Sequence, residues 1–286
     1  MRNSSQVVLI TGGAGLLGSE LIARAPSSIQ IHATQRTSPV TAAEEHTVDL
    51  SDHGATVALL DRVRPGLVIH TAYSQAAEGD VLGATESLVD ACAATGCALI
   101  HMSTDAVFDG EHAPYAETDE PAPVHDYGRW KAAAERIVRE RLSDAAIVRT
   151  SLIVRVAPEP DRISKKLLDD LRSGEPVRLF VDELRCPIAV EDLAAQLWEL
   201  AALPAEARAG FWHLAGPEAL SRYSLGVLVA RRHGVDADAI VPARSRGAGL
   251  QRPRDLRLLT PRADRELRTR ARPIGEVLSL RLRVSA

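Results

Sequence analysis

Val7-Val8-Leu9-Ile10-Thr11-Gly12-Gly13-Ala14-Gly15-Leu16-Leu17-Gly18 decides the fold of this chain. A β-branched apolar run leads into a glycine turn and then into apolar residues at helical spacing. The order reads strand, tight loop, helix. Gly12 takes the turn without a Cβ clash. Gly15 lets the backbone approach a pyrophosphate, and Gly18 lets the helix pack closely on the strand. Phosphates would sit on the unpaired N–H groups that open the helix, where the dipole favours negative charge.

Working outward, strands alternate with helical patterns through the first half. Val7–Thr11, Ile29–Thr34, Thr47–Leu50, Leu67–Thr71, Ala98–Ser103 and Ala145–Thr150 read as strands. Helical spacing marks about Leu16 to Arg24, Gly54–Arg64 before the stop at Pro65, Val81–Thr95 before Gly96, and the stretch from Pro121-Ala122-Pro123 to about Leu142. Such alternation implies an α/β fold, a Rossmann-type doubly wound parallel sheet with helices on both faces. The second half is less regular: helices over Ile163–Ser173, Val190–Leu203 and Leu225–His233, strands over Val177–Val181 and Phe211–Ala215, and an Arg-rich tail from Arg244 to Arg272. The expected organisation is a dinucleotide-binding domain over residues 1–151, a later segment at about 186–203 interleaved with it, and a smaller C-terminal α/β substrate-binding part over 152–286.

At 286 residues the chain can bury a full core, and its 45% hydrophobic and 25% charged content are those of an ordinary soluble protein. A formal net charge of −4 argues against general affinity for nucleic acid or anionic membrane. Cys92, Cys97 and Cys186 are too few for a disulfide framework, and no metal-type spacing occurs, so buried free thiols and no metal are expected. With no secretory pattern and no apolar run of membrane-span length, the expected location is the cytoplasm.

Tyr127 and Lys131, in Tyr127-Gly128-Arg129-Trp130-Lys131, share one face of a helix. A free tyrosine has a pKa of about 10, and a neighbouring ammonium lowers it by favouring the phenolate. Tyr127 could then give a proton to a carbonyl oxygen as hydride arrives at carbon. Ser103-Thr104 end the fifth strand, where parallel sheets place their ligands, and Thr104 could bond the same oxygen. His70 and His101 lie within apolar strands and read as core or near-site residues. His125 suits helix entry as well as a substrate contact, and Trp130 reads as packing.

Thr11-Gly12-x-x-Gly15-x-x-Gly18, Ser103-Thr104 and Tyr127-x-x-x-Lys131 together resemble the extended short-chain dehydrogenase/reductase superfamily. Within it, Ser103-Thr104-Asp105-Ala106-Val107-Phe108-Asp109-Gly110 resembles the dTDP-4-dehydrorhamnose reductase family. So do Arg149-Thr150-Ser151, Arg185-Cys186-Pro187 leading into Val190-Glu191-Asp192-Leu193, and Arg252-Pro253. The resemblance implies a nicotinamide-dependent reductase of a nucleotide-linked keto-sugar, with Thr104, Tyr127 and Lys131 catalytic. On the cofactor it implies Thr11, Gly12, Gly15, Leu16, Leu17, Gly18, Asp49, Leu50, Thr71, Ala72, Ser103, Tyr127 and Lys131. On the substrate it implies Thr104, Asp105, Leu152, Arg185 and Arg252. Extended relatives often pair through a helix bundle, which would make a homodimer of the helices Val81–Thr95 and Tyr127–Leu142. The chain departs from the family pattern at Ala106, at Leu152 where tryptophan is usual, at Ala72-Tyr73-Ser74-Gln75, and at Gly83. These departures bear on which sugar is taken more than on the reaction.

An acid about twenty residues past the glycines usually holds the ribose of NAD. Here strand two ends Thr34-Gln35-Arg36-Thr37-Ser38, with no acid and an arginine able to fork onto a 2′-phosphate. NADP(H) is therefore favoured over NAD(H). A dehydratase would carry a second carboxyl after Asp105, where Ala106 stands. An epimerase could use the same tyrosine and lysine with retained NAD. A reading of another class is non-catalytic: the regulatory subunit of methionine adenosyltransferase resembles the same family and works by binding a partner.

Overall fold

The computed structural model describes residues 6–41, 43–72, 77–157, 159–246 and 252–279. The strand β1 (Gln6–Thr11) enters the glycine turn and α1 (Leu16–Ala23) leaves it. There follow β2 (Ile29–Gln35), β3 (Glu44–Thr47), α2 (His53–Val63), β4 (Leu67–His70), α3 (Glu78–Thr95), β5 (Ala98–Thr104), α4 (Asp126–Arg141) and β6 (Ala146–Thr150). Local chemistry sets the ends. The Asp52 carboxylate accepts from Ala55 N–H to open α2, and Gly96 (φ 69°) closes α3 in the left-handed region.

These strands form one parallel sheet in the order Gly210–Leu214, β6, β5, β4, β1, β2, β3. The chain winds outward from β1 to β3, then returns to β4 on the other side of β1. That reversal opens a crevice at the carboxyl ends of β1 and β4, the ligand position of such sheets. Period-two alternation divides the core. Val8, Ile10, Leu67, Ile69, Ile100, Met102 and Val148 face α1 and the helix Val190–Ala201. Leu9, Val68, Leu99 and Ile147 face the layer of α2, α3 and α4. Trp198 clamps the first layer by donating its indole N–H to Leu21 O at 3.1 Å.

Two expectations are corrected. The third strand runs three residues earlier than Thr47–Leu50, because polar Glu44-Glu45-His46 suits an exposed sheet edge, while Leu50 is buried in the core. The seventh strand, Gly210–Leu214, comes from beyond the 186–203 segment, so the late chain contributes a strand as well as a helix to the dinucleotide-type layer. The rest of the late chain builds short two-stranded ladders, Ile188–Ala189 on Ile153–Val154, Leu220–Ser221 on Leu184–Arg185, and Ile240–Ala243 on Val177–Phe180. Beside them lie the helices Arg162–Arg172 and Arg222–Arg232 around Val154, Leu168 and Val229. Among the described residues no helix is long and apolar enough to cross a membrane. The three cysteines are free and buried.

The glycine turn gives a test by contrast. A Cβ on Gly18 would stand 2.3 Å from Gly12 O and 2.9 Å from Gly13 Cα, whereas one on Gly54 would meet nothing nearer than 3.5 Å. Gly18→Ala should cost about 1–3 kcal/mol in urea unfolding, and Gly54→Ala should be neutral or stabilise by up to about 1 kcal/mol. Equal effects would show that Gly18 is not under this steric demand.

Candidate active site

At the sheet's carboxyl edge, Gly12 (φ 68°) donates its N–H to Thr34 Oγ1 at 3.2 Å, and Gly15 N–H returns to Gly12 O at 2.9 Å. A Cβ on Gly12 would press on Ala72 Cα at 2.9 Å, but one on Gly15 would meet only Gly12 O at 3.1 Å. Gly15 is exposed, with Gly12 O crowding the place of a Cβ, and it opens α1 with no side-chain cap on the helix among the described residues. That leaves N–H groups free for an anion. The two leucines of the motif, Leu16 half-buried and Leu17 buried, pack into the core. Thr71 Oγ1 donates to Thr11 O at 2.6 Å, tying the end of β1 to the residues after β4.

The Arg36 guanidinium was expected to await a 2′-phosphate. It instead donates to Asp80 of α3 at 3.0 Å while remaining 56% exposed. A search for an acid at the end of strand two could not find this one, since it arrives from α3. Asp49 receives Ser51 N–H and Oγ at 3.0 and 2.7 Å, hydrogen bonds that lower its pKa and make it a loop-capping carboxylate. The departures at Tyr73–Gln75 lie outside the described residues.

Thr104 ends β5. Its hydroxyl accepts from Ala106 N–H at 3.2 Å, opening the 3-10 turn Asp105–Val107, and lies 3.3 Å from Asp105 Oδ1. The start of α4 lies tightly on that turn: a Cβ on Gly128 would stand 2.3 Å from Ala106 O. Glycine directly after Tyr127 thus lets the helix carry its tyrosine against the residues that follow Thr104. His125 caps α4 with Nδ1, which accepts from Gly128 N–H at 3.0 Å, and its ring centroid lies 6.3 Å from that of half-buried Tyr127. Lys131, one turn on, is wholly buried. Its Nζ donates to Met102 O at 2.6 Å and lies 3.3 Å from His101 Nε2. Burial brings Lys131 down to about 8, with Glu135 opposing.

Beneath these groups runs a buried polar layer centred on Glu135, which the sequence motifs did not single out. Ser103 Oγ donates to Glu135, and Arg149 forks onto Glu135 at 3.1 and 2.9 Å. The Arg149 guanidinium lies 4.9 Å from the Phe108 ring centroid and 4.3 Å from that of Phe211. Ser103 is thereby turned towards α4.

On the expected substrate side, Asp105 is buried and accepts from Ser151 Oγ at 2.7 Å. Burial pushes its carboxyl up, and Arg185, with Nε at 3.9 Å, opposes this. Arg185 was expected to face a substrate. Its N–H groups instead bind Leu184 O, Pro253 O and Arg254 O at 2.7–3.1 Å, a staple for the late chain. Arg252 forks onto wholly buried Glu183 at 2.5 and 3.0 Å, and Arg222 lies 3.7 Å from the same carboxylate. Glu183 and Arg222 carried no motif signal. Leu152 is half-buried, and its carbonyl accepts from Ile188 N–H at 2.9 Å.

Of the described residues, His32, Glu44 and His46 bring ligand-type atoms within 4.8 Å of one another. His32 Nδ1 lies 2.8 Å from His46 Nε2, Gln30 Nε2 lies 3.2 Å from His32 Nε2, and Arg62 lies 3.4 Å from His46 Nδ1.

The family described as RmlD substrate binding domain matches residues 6–283. The dTDP-4-keto-6-deoxy-D-glucose reductase of Streptomyces niveus is 30% identical over 260 residues, 86% of this chain and 86% of its own. Methionine adenosyltransferase 2 subunit beta of Rattus norvegicus is 28% identical over 274 residues, 89% of this chain and 80% of its own. A Bacillus anthracis dTDP-4-dehydrorhamnose reductase structure in complex with NADP has a TM-score of 0.81 at 21% identity, covering 96% of both chains, and shares this fold. The chain belongs to the RmlD substrate-binding family.

Two stability tests follow from the buried layer. Glu135→Ala leaves the Arg149 charge buried without its carboxylate and should cost about 3–5 kcal/mol in chemical unfolding. Burial lowers His70 to about 3 and His213 to about 4, and lowers His101 well below the usual range. The unfolded chain therefore binds protons that the folded chain refuses. This contribution is complete above about pH 6.5 and is lost as pH falls towards 4 and 3, at up to about 1.4 kcal/mol per pH unit for each imidazole. A flat stability profile between pH 6.5 and 4.5 would contradict these neutral buried rings.

Proposed function

We propose that this chain is an NADPH-dependent reductase of a nucleotide-linked 4-keto sugar. The observation that carries this reading is the tight seating of α4 on the turn after Thr104, with Gly128 under Ala106 O. It keeps Thr104, Tyr127 and Lys131 at the same sheet edge as the glycine turn. The names of the Streptomyces niveus and Bacillus anthracis relatives support the substrate class, and the NADP complex of the latter supports the cofactor.

The residues present fit a dinucleotide: an uncapped α1 N-terminus, an exposed Gly15 with no room for a Cβ, and Ala72 packed against Gly12. Bound there, reduced nicotinamide would supply hydride to the carbonyl carbon. Tyr127 gives its phenolic proton to the carbonyl oxygen, so the ketone gains one hydride and one proton and becomes an alcohol. The Lys131 ammonium favours the phenolate left behind. Thr104 donates its hydroxyl hydrogen to the same oxygen and fixes its position. Arg36, which here lies on Asp80, would hold the 2′-phosphate.

The direct test is oxidation of NADPH, followed by absorbance, against a panel of nucleotide-linked 4-keto sugars. Turnover should occur with at least one member. Binding of NADPH without any turnover would favour the regulatory reading instead, which the rat relative's name supports. Homodimer formation through α3 and α4 goes with the reductase reading, and light scattering that gives a monomer at micromolar concentration would remove it.

Tyr127→Phe keeps the ring and should lower turnover by roughly 10²–10⁴-fold with cofactor affinity preserved. Near-normal turnover by that variant would show the proton donor to be elsewhere. Arg36→Ala should weaken NADPH binding by roughly ten- to a hundredfold and leave NADH binding nearly unchanged, the worth of one charged hydrogen bond. Asp80→Asn, which releases Arg36 and removes a nearby negative charge, should tighten NADPH binding. Equal effects of either change on both cofactors would refute the 2′-phosphate assignment.

A further inference from the structure

We infer that His101 is a positioning residue of this site: it holds the Lys131 ammonium from the β5 side and so sets the pH range in which Lys131 stays charged. The role in turnover rests on the reductase reading; the contact itself does not.

Hydrogen-bond bookkeeping assigns the tautomers. Thr11 Oγ1 accepts from Thr71 N–H at 3.1 Å and Ala72 N–H at 3.2 Å. A hydroxyl has two acceptor sites and one hydrogen, so that hydrogen goes to His70 Nδ1 at 2.7 Å. His70 is therefore protonated on Nε2. Lys131 is a donor only, so His101 Nε2 at 3.3 Å must accept, and the His101 proton lies on Nδ1. Among the described residues that buried Nδ1 has no hydrogen-bond partner, which costs stability. What His101 gains in exchange is the acceptor contact with Lys131.

The other groups around Lys131 do not replace it. Met102 O accepts one N–H at 2.6 Å. Glu135 of α4 is engaged with Ser103 and Arg149, and acts on Lys131 only through its charge. His70 from β4 is neutral and its ring centroid lies 5.2 Å from that of His101. Asp105 beyond β5 is held by Ser151 and faces Arg185. The α3 acids Asp90 and Glu86 pair with Arg141 at the far end of α4. Tyr127 lies one turn away on the same helix face. His101 Nε2 is thus a side-chain acceptor within hydrogen-bond reach of this buried charge.

The composition makes the test direct. The chain has three lysines, Lys131, Lys165 and Lys166, and the last two are exposed. In the full chain labelled with ¹³C-lysine, NMR should give an ε-carbon midpoint near 8 for Lys131. His101→Leu removes the acceptor and should lower the Lys131 midpoint by about one pH unit or more. His101→Gln, whose amide oxygen can stand where Nε2 stood, should restore it. His101→Asn, too short to reach, should not, and this pair decides the matter if the leucine variant does not fold. The alkaline limb of kcat should move with the midpoint while KM for NADPH changes little. A Lys131 midpoint unmoved by His101→Leu or His101→Asn, or moved equally by His101→Gln, overturns the inference. Midpoints that move as expected in a chain that reduces no keto sugar leave the contact standing and overturn the reductase reading.

Discussion

Everything at the sheet's carboxyl edge depends on a charge buried under it. Arg149 is almost completely inaccessible, lies between Phe108 and Phe211, and donates to both oxygens of Glu135 and to Asp119 O. One guanidinium thereby joins β6, α4, the loop leading to α4 and the strand Gly210–Leu214. Ser103 adds β5 to the same carboxylate. Isolated charges of this kind are unaffordable in a core, so the arrangement tolerates neither partner's loss nor much displacement. Its effect is to fix how α4 lies on β5, and therefore where Tyr127 and Lys131 stand relative to Thr104.

Much of this was legible in the sequence. The glycine turn, the parallel sheet and the helix carrying Tyr127 and Lys131 rest on local patterns, apolar runs of strand length and glycines at fixed spacing, and local patterns survive without tertiary information. What failed to read depends on residues meeting from distant parts of the chain. Arg36 finds its carboxylate 44 residues away on α3. Arg185 spends its donors on carbonyls nearly 70 residues later. Gly210–Leu214 has the composition of a strand, but nothing local says that it pairs with β6 rather than within the smaller part. The third strand was placed too late because its apolar residues, Val48 and Leu50, follow the paired segment. Glu44-Glu45-His46 pairs through backbone on an edge where polar side chains are favoured.

The expected substrate side is built from paired charges. Arg185, Arg222 and Arg252 gather around Asp105 and Glu183, three cations against two buried carboxylates. Arg252 satisfies Glu183 with both prongs, and Arg222 Nε has no hydrogen-bond partner among the described residues. The cluster therefore holds a surplus of positive charge next to Thr104. A nucleotide-linked sugar carries negative charge, so this balance agrees with the proposed substrate class.

If the cofactor is NADPH as proposed, the Arg36–Asp80 pair is where magnitude would decide the preference. In this structure the guanidinium is already engaged, so an incoming 2′-phosphate must displace a carboxylate. An exposed ion pair is worth about 0–1 kcal/mol, because water screens it and two side chains lose freedom. A charged hydrogen bond from arginine to phosphate contributes about 1.5–3 kcal/mol. The exchange is therefore favourable for a phosphate and unfavourable for a bare 2′-hydroxyl, which offers Arg36 no charge to replace Asp80. With the hydroxyl, Arg36 stays on Asp80 and the cofactor gains nothing from it. On the proposed reading, selectivity would come from a side chain with two anionic destinations of unequal strength, and the acid that occupies it would become part of how the site discriminates.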